Sequence, residues 1–304
     1  IFDLFCGEGI YENDGEGSPI AILRTLKDLH FINKAKNKKI IKVDLYLNDK
    51  DEFKIEKLKS LIEERKLHYE DLGKLTFRSK DYKEIVDNLS NYISNLKNEK
   101  AFVFIDPYGY KQIRGGDLKK LLKSKKSEVL LFLPTQFMYR FNEKGTPESL
   151  TELIDELVDI SNWKPSGSVY EFINQLREAL KLFLGSDYFV DTFLIEKDSA
   201  TVYCLFFLSS HIRGFEKMLE TKWQMDEDEG RGWSYEQTGN LFSAQKTNIL
   251  EEKVLTLLSS GEKISNGKIY EFILRNGFFP KHGVEVFSML QSKGKIEVYS
   301  ENGN

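Results

Sequence analysis

Tyr188-Phe189-Val190-Asp191-Thr192-Phe193-Leu194-Ile195-Glu196 and Thr201-Val202-Tyr203-Cys204-Leu205-Phe206-Phe207-Leu208 are two apolar runs parted only by Lys197-Asp198-Ser199-Ala200. Four residues cannot hold the crossover that parallel strands need, so the pair reads as an antiparallel hairpin. Toward the start of the chain the pattern differs. Short apolar runs at 1–5, 40–48, 75–77, 101–106 and 128–133 alternate with helical periodicity at 19–30, 53–66, 82–96 and 117–123, the signature of a parallel α/β sheet. Ser18-Pro19 predicts a helix start with Ser as N-cap and Pro at the first helical position. Two polar-faced helices, 148–160 and 169–183, form a helical insertion at about 146–186.

Beyond the hairpin, a helix at 212–223 leads into Asp226-Glu227-Asp228-Glu229-Gly230, and residues 225–245 read as an acidic, polar linker. Helical periods at 248–258, 267–275 and 283–291, then a terminal strand at 295–299, outline a winged-helix-like domain over 246–304. The first domain thus spans 1–224. From Lys246 onward eight Lys plus Arg face seven Asp plus Glu, which is near neutral. A dedicated DNA reader is usually more basic, so contact with protein, including a second copy of the chain, is favoured for this domain.

Composition sets bounds on this reading. At 304 residues two domains are expected. The 44 Lys plus Arg against 48 Asp plus Glu exclude a uniformly basic surface. Cys6 and Cys204 are too few for a disulfide scaffold, and with His30, His68, His211 and His282 scattered, no metal site is expected. There is no Gly-x-x-x-x-Gly-Lys-Ser/Thr loop. No membrane-spanning run or signal peptide is present, so a soluble cytoplasmic protein is expected. The chain opens inside a strand without Met, and a preceding segment is expected.

Three strand ends carry the candidate chemistry. Asp3-Leu4-Phe5-Cys6-Gly7-Glu8-Gly9 ends the first strand in a glycine loop, where backbone can approach a ligand closely. Asp49 ends the second strand, where a carboxylate can accept both hydroxyls of a ribose; Asp51 stands nearby, and either could instead cap a helix. Asp81, after the third strand, would meet an adenine edge or serve as an N-cap. The fourth strand leaves on Phe104-Ile105-Asp106-Pro107-Tyr108-Gly109-Tyr110. There the Asp106 carboxylate and Pro107 carbonyl could accept hydrogen bonds from an amine while Tyr108 stacks on a base; the alternative is a plain β-turn. Lys111, Arg114, Lys119 and Lys120 open a basic run that could track a phosphate backbone or form a solvated helix face.

Five strands closed by a hairpin resemble the class I S-adenosylmethionine (SAM) methyltransferases, and Asp-Pro-Tyr-Gly resembles the Asp-Pro-Phe-Gly of tRNA guanine-N2 methyltransferases. Asp-Leu-Phe-Cys-Gly also resembles cytosine-C5 enzymes, but their Pro-Cys nucleophile is absent. The chain is further similar to the three-Cys-motif partner (TcmP) family, on Asp3, Phe5, Gly7, Gly9, Tyr11, Gly15, Gly17, Ser18 and Pro19, and on Phe104 to Gly109. In that resemblance Leu133 to Arg140 is a fifth-strand segment ending in Arg. Two positions depart from the family pattern: Cys6 replaces Ala, and Glu8 replaces Pro, setting an anion beside the cofactor. The resemblance implies a SAM-methyltransferase-like fold with SAM held by Asp3, Gly7, Gly9, Asp49 and Asp81, and a three-Cys-motif, radical-SAM-like protein as partner. The reading is a SAM-dependent methyltransferase acting on nucleic acid, with Asp106, Pro107 and Tyr108 at the acceptor. Its alternatives are a non-catalytic scaffold for that partner and an enzyme acting on a small molecule or protein.

Overall fold

A strand covered by helices on both faces is apolar throughout. The central strands β4 (Ala101–Ile105) and, from Val129 on, β5 (Ser127–Leu133) are of this kind. Val103, Ile105, Val129 and Leu131 enter one core, while Phe102 and Leu130 pack into another on the opposite face. The computed structural model describes residues 1–108, 110–143, 148–198, 200–226, 230, 232–234, 246–259 and 261–299. In it β1 (Phe2–Asp3), β2 (Leu45–Asn48), β3 (Leu75–Arg78), β4 and β5 are parallel. The hairpin of β6 (Phe189–Asp198) and β7 (Thr201–Ser209) closes the sheet, with β7 inserted antiparallel beside β5.

The order β3-β2-β1-β4-β5-β7-β6 is the Rossmann-like sheet of the class I methyltransferases. Because the five strands are parallel, all their carboxyl ends lie on one edge. A further strand, β8 (Gly232–Ser234), lies parallel to β6 on the outer edge, inside the segment expected to be a linker. Gly109 of the β4 motif, Ser199 of the hairpin turn and residues 227–229, 231 and 235–245 of the expected linker are outside the described residues.

α1 (Ser18–Ala35) and α2 (Glu52–Glu64) bury Ile20, Leu23, Ile55 and Leu58 against Leu45 and Leu47. On the face of Val103 lie α3 (Tyr82–Asn95), α4 (Gly115–Leu122), α5 (Thr135–Glu143), α6 (Glu148–Leu157) and α7 (Val169–Leu184). α8 (Ile212–Met225) sets Phe215 and Leu219 on Phe189 and Phe207. α9 (Lys246–Leu258), α10 (Asn266–Arg275) and α11 (Pro280–Ser292) share a separate core of Leu250, Val254, Ile273, Val286 and Leu290.

This small domain is docked on the sheet. Arg275 donates to the carbonyls of Tyr188 (2.8 Å) and Ser186 (2.5 Å), with its guanidinium 4.1 Å from the Phe189 ring centroid. The Tyr270 hydroxyl donates to Glu216 at 2.6 Å and Trp223 Nε1 to the Gly277 carbonyl at 2.9 Å.

Three local expectations are corrected. Gly17, not Ser18, is the N-cap of α1, and the Ser18 hydroxyl turns to Asp3 instead. Residues 133–140 do not continue a strand: β5 stops at Leu133, and Pro134, which has no N–H to donate to the ladder, precedes Thr135 at the start of α5. Residues 295–299 form no strand; Ile296 packs into the small core, but the segment has no neighbouring strand to pair with among the described residues.

Candidate functional site

The carboxyl ends of β1, β2 and β4 bring Asp3, Asp49 and Asp106 together. Asp3 is fully buried beneath the glycine loop, where its carboxylate accepts from the Ser18 hydroxyl (2.6 Å) and the Phe5 N–H (3.4 Å). Burial pushes its pKa up to about 7; the bonds from Ser18 and Phe5 oppose this, and the charges of Asp106 and Asp49 add to it. The folded protein therefore holds this proton more tightly than the unfolded chain, and stability falls as pH rises from about 4 to about 7. Asp3→Asn keeps an acceptor for Ser18 and removes the buried charge. It is expected to melt above the wild type near pH 8, with a flatter melting temperature across that window. Thermal denaturation across the window checks this, and a variant less stable at every pH would refute it.

Above Asp3 the loop turns through two left-handed glycines. Gly7, at φ +61°, donates its N–H to Asp49 Oδ2 at 3.2 Å, and a Cβ there would meet nothing within 4 Å. Gly9, at φ +86°, lies against α1 and α2, where a Cβ would sit 2.6 Å from Leu58 Cδ1. One glycine thus seats the loop and the other leaves an open backbone face. Asp49 also accepts from the Asp51 N–H at 2.9 Å, so it ties the β1 loop to the start of α2. Asp51 caps α2 through the Phe53 N–H, and Asp81 caps α3 through the Lys83 N–H, each at 3.0 Å. Each of the two carboxylates is thus engaged at a helix start through one oxygen.

Asn48 is a positioning residue whose role the sequence reading missed. Its amide donates to the carbonyls of Leu4 (3.1 Å) and Lys80 (3.0 Å) and accepts from the Lys80 N–H (3.1 Å), joining the ends of three strands. A buried Asn directly before the strand-end acid was the available signal. Glu8, the anion beside the loop, pairs with Lys57 of α2 at 2.7 Å, which neutralises it at the surface. Cys6 lies buried, with burial raising its thiol pKa, so it offers no thiolate.

Asp106 follows β4 directly. Burial raises its pKa to about 6, and it makes no hydrogen bond or ion pair with a described residue. A partly buried carboxylate with a raised pKa and no partner among the described residues, at the ligand edge of a parallel sheet, is a candidate for chemistry. Pro107 beside it is buried and Tyr108 is fully exposed, at 102%.

The basic run is mostly consumed within the protein. Arg114 pairs with Glu152 of α6 at 2.5 Å, Lys120 with Asp87 at 2.7 Å, and Lys119 lies over the Phe183 ring. Glu156 accepts from the Gly115 and Gly116 N–H groups at 2.8 and 2.6 Å, filling the amino end of α4 with the chain's own carboxylate. Lys111 is exposed at the carboxyl edge. Among the described residues no three His, Cys, Asp or Glu side chains are placed to hold a metal ion, and no helix is long and apolar enough to cross a membrane.

Residues 220–303 match the GMT-like wHTH domain, a span that begins within α8. None of the curated proteins compared matches the chain. Among solved structures, the chain is similar to the methyltransferase domain of bacterial CtHen1 (13% identity, 68% of this chain and 88% of that one, TM-score 0.34). It is also similar to Trm1 from Pyrococcus horikoshii, solved with S-adenosyl-L-methionine (11% identity, 66% and 58%, TM-score 0.37). Against WbdD (14% identity, 69% of this chain, TM-score 0.32) it spans only 35% of the other chain. Likeness this distant says nothing about activity.

Proposed function

We propose that the protein is a SAM-dependent methyltransferase whose acceptor is an amino group on a nucleic-acid base. The observation that carries the reading is Asp106, a partly buried carboxylate with no partner among the described residues, placed near Asp3 and the Gly7–Asp49 loop on the ligand edge of a class I methyltransferase sheet. The residues fit the cofactor: Gly7 leaves an open face, Asp49 remains able to accept from ribose hydroxyls through its free lone pairs, and Glu8 is neutralised by Lys57. When bound, SAM supplies the methyl group. The chain's own part is to hold the acceptor: the Asp106 carboxylate and the Pro107 carbonyl accept its N–H bonds, which fixes the nitrogen lone pair in one direction, and Tyr108 stacks on the ring.

A second reading, a methyltransferase fold that serves as scaffold for a three-Cys-motif partner, is favoured by the engagement of Arg114, Lys119 and Lys120 inside the protein. Calorimetry with SAM tests the first reading. Binding is expected in the wild type and at least about ten-fold weaker in Asp49→Ala, the loss of one charge-assisted pair of ribose bonds. No binding, or no difference between the two proteins, would sink it. Binding without methyl transfer to bulk RNA, DNA or protein would favour the scaffold.

A further inference from the structure

The loop between β1 and α1 is a folded arm. Ile10 and Glu16 bridge, the Tyr11 N–H donates to the Gly15 carbonyl at 2.8 Å, and the Asp14 N–H donates to the Tyr11 carbonyl at 3.0 Å. Glu16 is held by Arg24 and Arg65, and the Gly17 N–H closes the loop on the Gly9 carbonyl at 2.8 Å. The aromatic side chain of this small hairpin, Tyr11, remains 61% exposed.

Its direction is nevertheless set. A Cβ on Gly15 would lie 3.4 Å from Tyr11 Cδ2, so the ring lies across Gly15. The hairpin leaves β1 beside β4, whose end carries Asp106, so both stand at the carboxyl edge of the sheet, and burial first, then the carboxylates of Asp106 and Asp3, raise the Tyr11 hydroxyl pKa. Tyr108 stands exposed two residues beyond Asp106, at the end of the strand that pairs with β1. Two exposed rings at the carboxyl ends of adjacent strands, one on an anchored hairpin and one two residues past a carboxylate that has no partner among the described residues, need a reason beyond packing.

The geometry points to a two-sided aromatic clamp in which Tyr11 and Tyr108 take the two faces of a planar, amine-bearing ring held at Asp106. This rests on the acceptor reading above and narrows it. A base inside a duplex has both faces covered by its neighbours, so the ligand is an unpaired or flipped nucleobase in a single-stranded segment. Tyr11 is the residue this adds: a positioning wall supplied from the cofactor loop.

The test is fluorescence anisotropy with short labelled strands of mixed sequence, as single-stranded RNA, single-stranded DNA and the matching duplex, and with SAM calorimetry on the same proteins. Tyr11→Ala and Tyr108→Ala are each expected to weaken single-strand binding about ten-fold, the loss of one stacking partner, while Tyr11→Phe and Tyr108→Phe retain it. The double alanine variant is expected to lose less than the product of the single losses, because both walls hold the same ring. The RNA and DNA arms decide which strand is preferred. SAM affinity is expected to be unchanged in all variants. The clamp is overturned if the wild type binds no single strand, binds the duplex as well, or is unaffected by Tyr11→Ala. It is equally overturned if Tyr11→Ala weakens SAM binding, which would place Tyr11 at the cofactor. Strand binding that follows this pattern in a protein that does not bind SAM would leave the clamp standing and remove the cofactor reading.

Discussion

Lys222→Met is expected to lower the free energy of unfolding by about 3–5 kcal/mol, the cost of leaving one member of a buried ion pair alone. Lys222 Nζ lies 2.5 Å from Asp191 Oδ2, and each side chain is only 8% exposed. The pair joins α8 to β6 and sits under the turn between α10 and α11: a Cβ on Gly277 would lie 3.8 Å from Asp191 and 3.9 Å from Lys222 Nζ. Truncating the lysine therefore strands a carboxylate at the seam between the sheet and the small domain. Asp191→Asn with Lys222→Met removes both charges and is expected to recover most of the loss, because a buried pair is worth little relative to well-packed apolar groups. Urea denaturation followed by tryptophan emission reads both changes, since Trp223 at the same seam donates to Gly277. A Lys222→Met protein as stable as the wild type would show that water reaches the pair and that the seam is looser than the geometry implies.

The same seam shows where sequence reading stops. Apolar runs and a four-residue turn are local signals, and they predict the succession of strands and helices from β1 through the hairpin. The strand-end residues Gly7, Asp49 and Asp106 are legible for the same reason, since a strand boundary and a residue type mark each one. Contacts across long stretches of chain carry no local mark. Glu156 fills the amino end of α4 from 40 and 41 residues away, and Asn48 joins loops 32 and 44 residues distant. β8 is held by backbone pairing to Leu194, Ile195 and Glu196, which any polar sequence could make, so its three residues read as linker. The family resemblance carries 133–140 as a strand segment, whereas Pro134, which cannot donate to a ladder and suits the start of a helix, marks the boundary at which α5 begins. At 295–299 the reverse holds: the alternation is present, but without a partner strand it cannot form a ladder.

Asp106→Asn is expected to reduce methyl transfer about 100-fold or more while leaving SAM binding intact, a loss of the size seen when one preorganised hydrogen-bonding group is removed from a reacting centre. The substitution keeps the shape of the side chain but puts an NH₂ donor where the carboxylate would accept an amine N–H, so one contact turns repulsive. The wild-type pH profile gives an independent check. Burial holds the Asp106 carboxyl at about 6, so the accepting, ionised form is lost as pH falls through that value, and the rate is expected to fall with it. In Asp106→Asn that acid limb should vanish along with most of the rate. Asp3 titrates nearby, at about 7, but its carboxylate is engaged by Ser18 and Phe5 beneath the loop, so Asp3→Asn should leave the limb in place. A limb that survives Asp106→Asn and disappears in Asp3→Asn would move the essential ionisation from the acceptor side of the site to the floor of the cofactor loop. Methyl transfer undiminished in Asp106→Asn would remove Asp106 from the acceptor altogether, and the most desolvated free carboxylate on this edge would then need another reason to be there.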